Sequence, residues 1–551
     1  MILRNHNHQQ PPHTPRRGAV LITVLVVIVV LLLIAYQYLN LMNAESNASI
    51  VSGRLAQSRH LADSGVHYAA FALAFPQTLG LSDSPDSYRV WSGNVYNNPD
   101  LFHFRPINGP NGIRGYFSIV TPSDPMDPNN TMGFRYGVED ENGKINLNAI
   151  RQLIKQNSSN RTLIETLIKA IPTLNEDQAM AVVNWTEEGG TTDSAEASYY
   201  SSLGYQSKGG PFDTTDELLL VMGWTPRQLY GNDKNRNGRL DPDENDGSNQ
   251  VDLGLQRYFT VYSREMNVDS TGQQRINLSN SNLQELKTQL DAAVGEELAN
   301  FILLVRASQA APQAQAIATL QLASAQNLPT GFTYRDNKLQ VEIGSISARQ
   351  DFKNLSLWDL VDTAFAYRPR NPNGQPGLPA LISSPLLTSN KETLRTSLNA
   401  LLDKCSTTGD LEIPARININ TCPADVLMAM GINEADTEKL LSYRPTPDMD
   451  PSLIPYYKTP AWLVTEAELN PTVVKLFGQF ITTYSQVYRF QVVGYYEFRG
   501  PQVRLEVVVD ANNGRPRILH WRDLTDLGKG YHFSQGRAMN TLFRNSSQVT
   551  Q

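Results

Sequence analysis

The sequence predicts an α+β fold in which a long N-terminal helix packs on an antiparallel sheet and a large, mainly helical insertion interrupts the sheet domain. Two observations support this expectation. An apolar run from Ala19 to Tyr36 continues directly into an amphipathic helical pattern. Segments with alternating apolar residues lie at 115–122 and 133–140 and again at 485–524, with several helical patterns between them. The sheet is therefore expected to combine strands from both ends of the chain.

The apolar run is long enough to cross a membrane. At about 1.5 Å per residue, a helix of this length nearly spans the roughly 30 Å hydrocarbon core of a bilayer. Arg4, Arg16 and Arg17 precede the run without any acidic residue, which predicts a cytoplasmic N-terminus and places the rest of the chain on the other side. The residues after the run offer at best a weak signal-peptidase site, so we expect the run to be retained. A plain single-pass anchor is the alternative.

The pattern beyond the run keeps apolar or small residues at the spacing of one helical face. A helix that packs first in lipid and then against a folded domain needs such a continuation, whereas an ordinary tether does not. The residues on this face are Val51, Leu55, Ala62, Val66, Ala69 and Leu73.

The N-terminal residues resemble the class III prepilin signal of type IV pilins and type II secretion pseudopilins. The matching features are a basic leader that ends in Gly18, an apolar helix that starts with "AVLIT", and an amphipathic extension that ends in "ADSGVHYAAFAL". In these families a prepilin peptidase cuts after the glycine, which implies cleavage between Gly18 and Ala19. Most pilins carry Glu at the fifth mature position, where this chain has Thr23. In lacking this carboxylate, the chain resembles the large minor pseudopilin family called general secretion pathway protein K. Members of that family are placed at the fibre tip.

Further motifs resemble the same family: "INLN", "AVVNWTEEGG" followed by "AEASYY", "LWDLVDTAF", "ININTCPADVLMAMGI" and the C-terminal strands. The resemblance implies a pilin-like fold with a large helical insertion. The expected division is a basic prepilin leader (1–18), a transmembrane and amphipathic pilin helix (19–75), the first part of the sheet domain (76–142), a helical insertion with a calcium loop (143–308), a variable connecting region (309–414), a helix-hairpin-helix or SAM-like module (415–480), the C-terminal sheet (481–533) and a flexible tail (534–551).

A short motif occurs three times in the chain. "GKINLN", "QRINLS" and "ARININ" are each followed by a helical pattern. Asn and Ser side chains accept hydrogen bonds from the free N–H groups at a helix start, so each copy predicts a short extended piece that runs into a capped helix. The expected caps are Asn148, Ser281 and Thr421.

The segment "DKNRNGRLDPDE" matches the twelve-residue calcium-binding loop at every ligand position. Glycine at the sixth position lets the chain turn, so that hard oxygen ligands at alternating positions converge on one ion. Pro242 and the following "NDGSNQ" disfavour a full exiting helix, and we therefore expect a structural calcium site without a sensor function. An empty solvated turn is the alternative. The expected ligands are Asp233, Asn235, Asn237, the Arg239 carbonyl, Asp241 and Glu244.

The composition is that of a globular protein with a negative net charge. Hydrophobic residues make up 40% and charged residues 18% of the chain, which is enough apolar material for several units of domain size. The net charge of −7 disfavours nucleic acid as the main partner. The two cysteines, Cys405 and Cys422, can form a disulfide in an oxidising periplasm, with two unrelated buried thiols as the alternative.

The segment "DVLMAMGINEADTEKLLSYR" resembles a helix-hairpin-helix, which binds DNA phosphates through backbone N–H groups and would suit a membrane-anchored DNA-uptake receptor. Glu434, Asp436 and Glu438 follow the hairpin here, and these carboxylates would repel phosphate. We therefore expect a packing or protein-contact module. The sequence shows no phosphate-binding glycine loop, nucleophile elbow or zinc-binding His pair, so no catalytic residue and no enzymatic activity are predicted.

The resemblance implies a minor pseudopilin of a type II secretion system, with a minor pilin of a type IV pilus-like system as the alternative. The implied location is the bacterial inner membrane, crossed once, with the bulk of the chain in the periplasm. The implied partners are other minor pseudopilins in a tip complex, the major pseudopilin, the prepilin peptidase, the inner-membrane assembly platform, and further out the secreted substrate and the outer-membrane secretin.

Overall fold

The computed structural model describes residues 17–75, 95–108, 114–123, 133–156, 160–308, 313–314, 325, 327–346, 356–369, 375, 377–446, 449–450, 452–496, 500–531 and 533. The α-helices are Arg17–Ala74, Pro99–Phe102, Leu147–Gln156, Asn160–Lys169, Glu176–Trp185, Ser194–Ser202, Pro226–Tyr230, Leu283–Val294, Glu296–Ala307, Lys391–Lys404, Ala424–Ala429, Glu434–Tyr443, Trp462–Thr465 and Pro471–Phe477. The strands, numbered along the chain, are β1 Arg105–Asn108, β2 Arg114–Pro122, β3 Phe134–Arg135, β4 Glu139–Asp140, β5 Ile145–Asn146, β6 Phe259–Thr260, β7 Glu265–Met266, β8 Ile276–Asn277, β9 Gln313–Ala314, β10 Phe332–Arg335, β11 Lys338–Val341, β12 Thr363–Tyr367, β13 Ala380–Ser383, β14 Cys405–Ser406, β15 Glu412–Ile413, β16 Ile417–Asn418, β17 Ile481–Thr482, β18 Val487–Tyr496, β19 Val503–Asp510 and β20 Arg517–Asp523.

The N-terminal helix is one continuous element of 58 residues, Arg17–Ala74. Its part from Val20 onward contains the one stretch, among the described residues, that is long and apolar enough to cross a membrane. Apolar side chains up to Leu55 are exposed, whereas those from Ala62 to Leu73 on one face are buried. The helix therefore passes from an exposed to a packed environment, as predicted from Ala62 onward, whereas Val51 and Leu55 of the predicted face stay exposed.

A seven-stranded antiparallel sheet follows the order β1-β2-β18-β19-β20, with β3 paired to β2 and β4 paired to β18. Strand β18 is central, so that Val492 lies opposite Ile119 on one side and Leu505 on the other. The early strands of the chain thus share one sheet with the last three. This confirms the α+β class and the antiparallel sheet assembled from both ends of the sequence.

One face of this sheet packs against the second half of the N-terminal helix. Successive side chains of a strand point to opposite faces, so alternate residues of β2, β18 and β19 meet the helix. Burial of a large apolar side chain contributes about 1.5–3 kcal/mol, and the summed contacts hold the helix to the sheet. The core here includes Ala62, Val66, Ala69, Leu73, Phe117, Ile119, Phe490, Val492, Leu505 and Val507.

The opposite face, called here the polar face, carries buried polar side chains beside apolar residues such as Val493 and Tyr495, and it packs against the insertion. Arg489 Nε donates to Glu141 Oε1 at 2.7 Å, and Gln491 Nε2 donates to the carbonyl of Arg236 at 2.8 Å. Arg504 in β19 is also buried on this side. Every residue of β19 is buried because different layers cover the two faces: Leu505 and Val507 pack toward the N-terminal helix, whereas Arg504 and Glu506 lie on the other face.

The three Ile-Asn motifs each form a two-residue strand with a parallel partner far along the chain. Strand β5 pairs with β6, β8 pairs with β14, and β16 pairs with β17. Parallel strands require a crossover connection, and helices contribute to it in all three cases. The chain between the early and late sheet strands therefore contains three modules, and together they are called the insertion from here on. In each module the first and last strands pair in parallel; the modules are 145–260, 276–406 and 417–482. The middle pairing joins residues on both sides of the predicted boundary at 308.

The asparagine of each motif organises the turn that follows the strand. The Oδ1 atoms of Asn146, Asn277 and Asn418 accept the N–H group two positions later, at 2.8, 2.9 and 3.0 Å. A side chain that bonds its own backbone two residues on replaces a backbone turn. The repeated sequence thus produces a repeated local structure.

The predicted helix caps at Asn148, Ser281 and Thr421 are wrong. Asn148 lies inside its helix, and Asn282 caps the second helix in place of Ser281. The hydroxyl of Thr421 donates to Asp140 Oδ2 at 2.6 Å and does not cap the third helix. In the first module the helix starts directly after the motif asparagine, whose Oδ1 accepts from the N–H groups of Asn148 and Ala149 inside it. In the other two modules a turn follows the asparagine, and the helix starts six residues after it.

Candidate helix anchor and metal centre

The predicted cleavage site lies in the first turn of the N-terminal helix, which begins at Arg17. Gly18 and Ala19 belong to this helix, while residues 1–16 lie outside the described residues. Thr23 follows Ala19 by four positions and therefore lies on the same helical face. After Arg17, the next charged side chain of the helix is Glu45. The helix thus presents a long uncharged surface without a carboxylate near Ala19, and cleavage itself stays a prediction.

The apolar side chains of this surface have no partner within the described chain that covers them. Val20, Leu25 and Leu32 expose 68%, 61% and 63% of their surface. Removal of one such side chain from water is worth about 1.5–3 kcal/mol, so a row of them cannot stay in contact with water. An exposed apolar surface of this size marks a membrane or protein contact. The exposed apolar part of helix Arg17–Ala74 therefore requires lipid or other apolar helices around it.

The predicted calcium loop, residues 233–244, is folded around its first ligand. Asp233 accepts two backbone N–H bonds, from Asn237 at 3.0 Å and from Gly238 at 2.8 Å. Gly238 has a φ of +73°, and a Cβ at this position would lie 2.4 Å from the carbonyl oxygen of Gly133. Glycine satisfies both the left-handed backbone and this close approach. The sixth position of the loop therefore makes the turn that the motif predicts.

The other side chains of the predicted ligand set face back toward Asp233. Asn235 and Asn237 each donate an amide hydrogen to Asp241 Oδ2, at 2.6 and 2.9 Å. Glu244 accepts backbone N–H bonds from Asn235 at 3.1 Å and from Asp241 at 3.2 Å. The structure thus brings all five side chains of the predicted set into one hydrogen-bonded group.

The chemistry of this group fits a hard cation. Burial raises the pKa of Asp233 to about 6, with a further contribution from the Glu244 charge that the backbone hydrogen bonds only partly offset. A divalent cation would neutralise these carboxylates, and carboxylate, amide and carbonyl oxygens are the ligands that calcium prefers. The N–H of Arg239 donates to Asn237 Oδ1 at 2.7 Å, which places the predicted carbonyl ligand in the same turn.

Carboxylates alone do not make this site. The described residues hold no group of three or more His, Cys, Asp and Glu side chains that could bind a metal ion together. A calcium ion in the loop would therefore also depend on Asn235, Asn237 and the Arg239 carbonyl. Residues 245–254, all of them described, form turns, bends and irregular backbone, so no full helix leaves the loop. This absence of an exiting helix agrees with the sequence, while the ion itself stays a prediction.

The loop is attached to the polar face of the sheet. Arg504 in β19 donates to the carbonyl of Asn235, and Gln491 in β18 donates to the carbonyl of Arg236 at 2.8 Å. Sequence reasoning missed both partners. One feature of the sequence could have indicated them: Gln491 and Arg504 each lie in a largely apolar strand. A buried polar side chain in such a strand needs a hydrogen-bonding partner from another layer.

A group of buried charges lies beside the loop, where the insertion meets β18 and β19. Lys144 Nζ and Arg489 Nε lie 3.0 and 2.7 Å from Glu141 Oε1. Burial opposes ionisation of Glu141, but these two cations outweigh it and lower its pKa well below the usual range. Arg489 also pairs with Glu506 at 3.1 Å. A cavity of about 410 Å³ adjoins this group and has Lys144, Arg489 and Glu506 in its wall.

The segment compared with a helix-hairpin-helix forms two short helices, Ala424–Ala429 and Glu434–Tyr443. Asn433 caps the second helix by accepting the N–H of Asp436 at 2.9 Å. Glu434, at the start of that helix, is exposed. Carboxylates at this turn repel the phosphates of nucleic acids, which favours a packing or protein-contact role for the pair.

The two cysteines are not joined in the structure. Cys405 begins β14 and pairs with Ile276, whereas Cys422 lies in the turn before helix Ala424–Ala429. Arg444 donates to the carbonyl of Cys422 at 2.7 Å and lies 3.4 Å from its Sγ atom. Burial raises the pKa of Cys405 to about 12, so its thiol is unreactive at neutral pH. In place of the expected disulfide, the structure contains two buried free thiols, with Cys405 in the parallel contact with Ile276 and Cys422 beside Arg444.

One segment of the chain matches a protein-family model. Residues 143–230 match the family described as type II secretion system (T2SS), protein K. The matched segment covers most of the first module and ends shortly before the predicted calcium loop. No curated protein matches the chain significantly. The segment contains the "INLN" motif, so the match supports the resemblance found in the sequence.

Proposed function

We propose that this chain, whose residues 143–230 match the type II secretion system protein K family, is a minor pseudopilin at the tip of the periplasmic pseudopilus that supports protein export across the outer membrane. The observation that carries the proposal is the change of surroundings along helix Arg17–Ala74. Its first half exposes uncharged apolar side chains, and its second half packs on an antiparallel sheet. Such a helix suits a subunit held first by lipid and then by the helices of neighbouring subunits.

The exposed half of the helix supplies the assembly contact. Prepilin peptidase would cut between Gly18 and Ala19 and remove the basic leader, which holds the N-terminus at the cytoplasmic surface. The uncharged helix would then leave the bilayer for the core of the fibre. Both environments are apolar, so the transfer exposes none of the helix to water and costs little hydrophobic free energy.

Position 23 and the insertion favour the fibre tip. A buried terminal amine needs a carboxylate nearby, because an unpaired buried charge is costly. Thr23 offers no carboxylate to a subunit above it. The chain also carries the three modules 145–260, 276–406 and 417–482 between its early and late sheet strands, and their bulk would limit further addition. Both features suit a subunit that ends the fibre.

In this role the chain crosses the bacterial inner membrane once, with its N-terminus in the cytoplasm and its modules in the periplasm. Arg4, Arg16 and Arg17 favour this orientation. The sheet and helix would contact other minor pseudopilins and the major pseudopilin during assembly on the inner-membrane platform. The modules, at the outer end, would meet the secreted substrate and the outer-membrane secretin.

The loop at 233–244 would hold a structural calcium ion. The ion would supply positive charge to a buried acidic group and fix the loop between the first module and the sheet. Because no full helix leaves the loop, ion binding has no second helix to move, which disfavours a sensor function. The residues that would bind the ion are Asp233, Asn235, Asn237, the Arg239 carbonyl, Asp241 and Glu244.

Substitution at the predicted cleavage site tests the proposal. Gly18→Val should leave an uncut precursor, measured as intact mass, and should strongly reduce secretion by the host system. Gly53→Val is a matched control, because Gly53 lies in the same helix and a Cβ there meets open space. The control chain should be cut and should support secretion. Normal secretion by a demonstrably uncut Gly18→Val chain would contradict the proposed assembly route.

A further inference from the structure

The last described residues of the chain lie against the calcium loop. Residues 528–531, called here the C-terminal strap, follow the last strand of the sheet. Tyr531 in this strap is fully buried, and its hydroxyl donates to Gln491 Oε1 at 3.0 Å. The Tyr531 ring also packs edge-on against Phe134, with 4.9 Å between the ring centres. The strap is therefore fixed to the polar face of the sheet.

Hydrogen bonds connect the strap with two adjacent residues of the loop. Asn237, a predicted ligand, donates from Nδ2 to the carbonyl of Gly530 at 2.9 Å. Gln491 bridges the two segments with one amide, since its Nε2 donates to the Arg236 carbonyl at 2.8 Å while its Oε1 accepts from Tyr531. The orientation of the Gln491 amide thus depends on both the strap and the loop.

Arg504 forms a third connection between strap and loop. Its side chain is fully buried, its Nη2 donates to the carbonyl of Asn235, and its guanidinium lies 5.4 Å from the centre of the Tyr531 ring. Within the described part of the chain, its Nε and Nη1 atoms have no hydrogen-bond partner. A Cβ at Gly530 would lie 1.7 Å from Nη1. The strap therefore confines the guanidinium to the position from which it reaches the loop.

We propose that the C-terminal strap positions the calcium loop through Arg504 and Gln491, so that docking of the strap and binding of calcium stabilise each other. The inference rests on the proposed calcium site. The contacts fix the carbonyls of Asn235 and Arg236 and the amide of Asn237, and two of these three residues are predicted ligands. Holding them in place reduces the ordering that accompanies ion binding. Thermodynamic linkage makes the effect reciprocal, so calcium must also stabilise the docked strap.

Two glycines provide a matched pair for the test. Gly528 and Gly530 have φ values of +92° and +65°, so alanine strains the backbone at both positions. An added Cβ meets open space at Gly528, whereas at Gly530 it collides with Arg504. Gly530→Ala should therefore weaken calcium binding by about fivefold or more, the lower end of typical coupling between sites. Gly528→Ala should leave the dissociation constant unchanged.

Isothermal titration calorimetry of the full chain in detergent, with calcium chloride as titrant, measures these dissociation constants. If calcium binding is weakened in Gly530→Ala and not in Gly528→Ala, the result supports the coupling. Equal constants for both variants and the unaltered chain overturn the coupling and leave the calcium site intact. Absence of binding to the unaltered chain overturns the calcium site, and the coupling with it.

Hydrogen–deuterium exchange of the unaltered chain gives a second test that does not depend on the folding of a strap variant. Saturating calcium should slow amide exchange in peptides that cover the strap, because the bound ion favours the docked state. Glu244→Gln, which removes a predicted ligand, should abolish this slowing. Unchanged exchange in the strap, together with calorimetric binding of calcium, would overturn the coupling.

Discussion

The two faces of strands β18 and β19 are held by different kinds of interaction. On one face, Val492 and Leu505 belong to an apolar core shared with the N-terminal helix. On the other, Arg489 pairs with Glu506 of the neighbouring strand and with Glu141. Glu141 in turn binds Lys144 and, in the insertion, Thr260. Apolar contacts are non-directional and scale with buried area, whereas buried ion pairs depend on the exact position of each partner. The helix contact is therefore insensitive to pH and ions, and the insertion contact fixes one arrangement and fails when one group is lost.

The largest expected effect is a charge placed in the apolar face. Val66 is fully buried, so Val66→Asp buries an unpaired carboxylate and should reduce the free energy of unfolding by more than about 4 kcal/mol. His67→Asp is the matched control, because the neighbouring His67 is exposed. The control should change stability by less than about 0.5 kcal/mol. Thermal unfolding of the full chain in detergent measures both, and equal midpoints for the two variants would contradict the packing of this helix face.

On the polar face, loss of one buried carboxylate should have the next largest effect. Glu141→Gln leaves Lys144 and Arg489 buried with one partner fewer, and breaking a buried pair in this way should cost about 3 kcal/mol. Glu188→Gln is the control, because Glu188 pairs with Lys155 at the surface and its loss should leave the midpoint of thermal unfolding nearly unchanged. A Glu141→Gln chain as stable as this control would show that the ion pairs of Glu141 do not stabilise this contact.

Removal of calcium should lower the stability of the polar face and leave the apolar face unaffected. If free calcium exceeds the dissociation constant a hundredfold, the ion adds about 2.7 kcal/mol to the free energy of unfolding. A chelator should therefore lower the unfolding midpoint of the unaltered chain. Glu244→Gln should make the midpoint independent of calcium, because Glu244 is the predicted bidentate ligand. A midpoint that ignores the chelator in the unaltered chain would remove the structural calcium site.

The parts of the fold that could be predicted from the sequence depend on local patterns. The apolar run before Tyr36 and the alternation in the last three strands each lie within one continuous segment, so periodicity alone identifies them. The parallel partner of Ile145 is Phe259, and no local pattern indicates that pairing. The helix caps were also missed: Asn146 of the first motif itself accepts from the first N–H groups of its helix, and in the other two modules a turn lies between the motif asparagine and the helix.

The candidate metal centre likewise has a part that the local sequence predicts and a part that it does not. Its side chains are predictable because twelve consecutive residues contain the whole set, and a loop of that length can fold around one ion by itself. Gln491 and Arg504, which hold the loop from outside, come from strands that reach it only when the sheet has closed. The sequence also allowed Cys405 and Cys422 to pair, but both thiols are free in the structure, and the strand partner of Cys405 is Ile276, far along the chain.

The smallest expected effect is that the stability contributed by the polar face depends on pH, whereas that of the apolar face does not. Arg489 and Lys144 outweigh burial and lower the pKa of Glu141, whose ordinary value is 4.5. A carboxyl with a lowered pKa contributes stability that is fully present above its unfolded pKa and is lost as the pH falls through its folded pKa. The difference in stability between the unaltered chain and Glu141→Gln should therefore stay constant from about pH 7 to pH 5 and shrink on further acidification.

The apolar face supplies the control for this pH series. Val66→Ala removes buried apolar surface and no titratable group, so the stability that it loses should not change with pH. Unfolding midpoints of the unaltered chain and both variants across the same series measure the two differences. If the Glu141→Gln difference were as flat as that of Val66→Ala down to pH 3, or grew on acidification, Glu141 would not act as an ion pair. The contact of β18 with the insertion would then not depend on the charge of Glu141, although Arg522 and Asp216, 2.6 Å apart, would still join β20 to the insertion by charge.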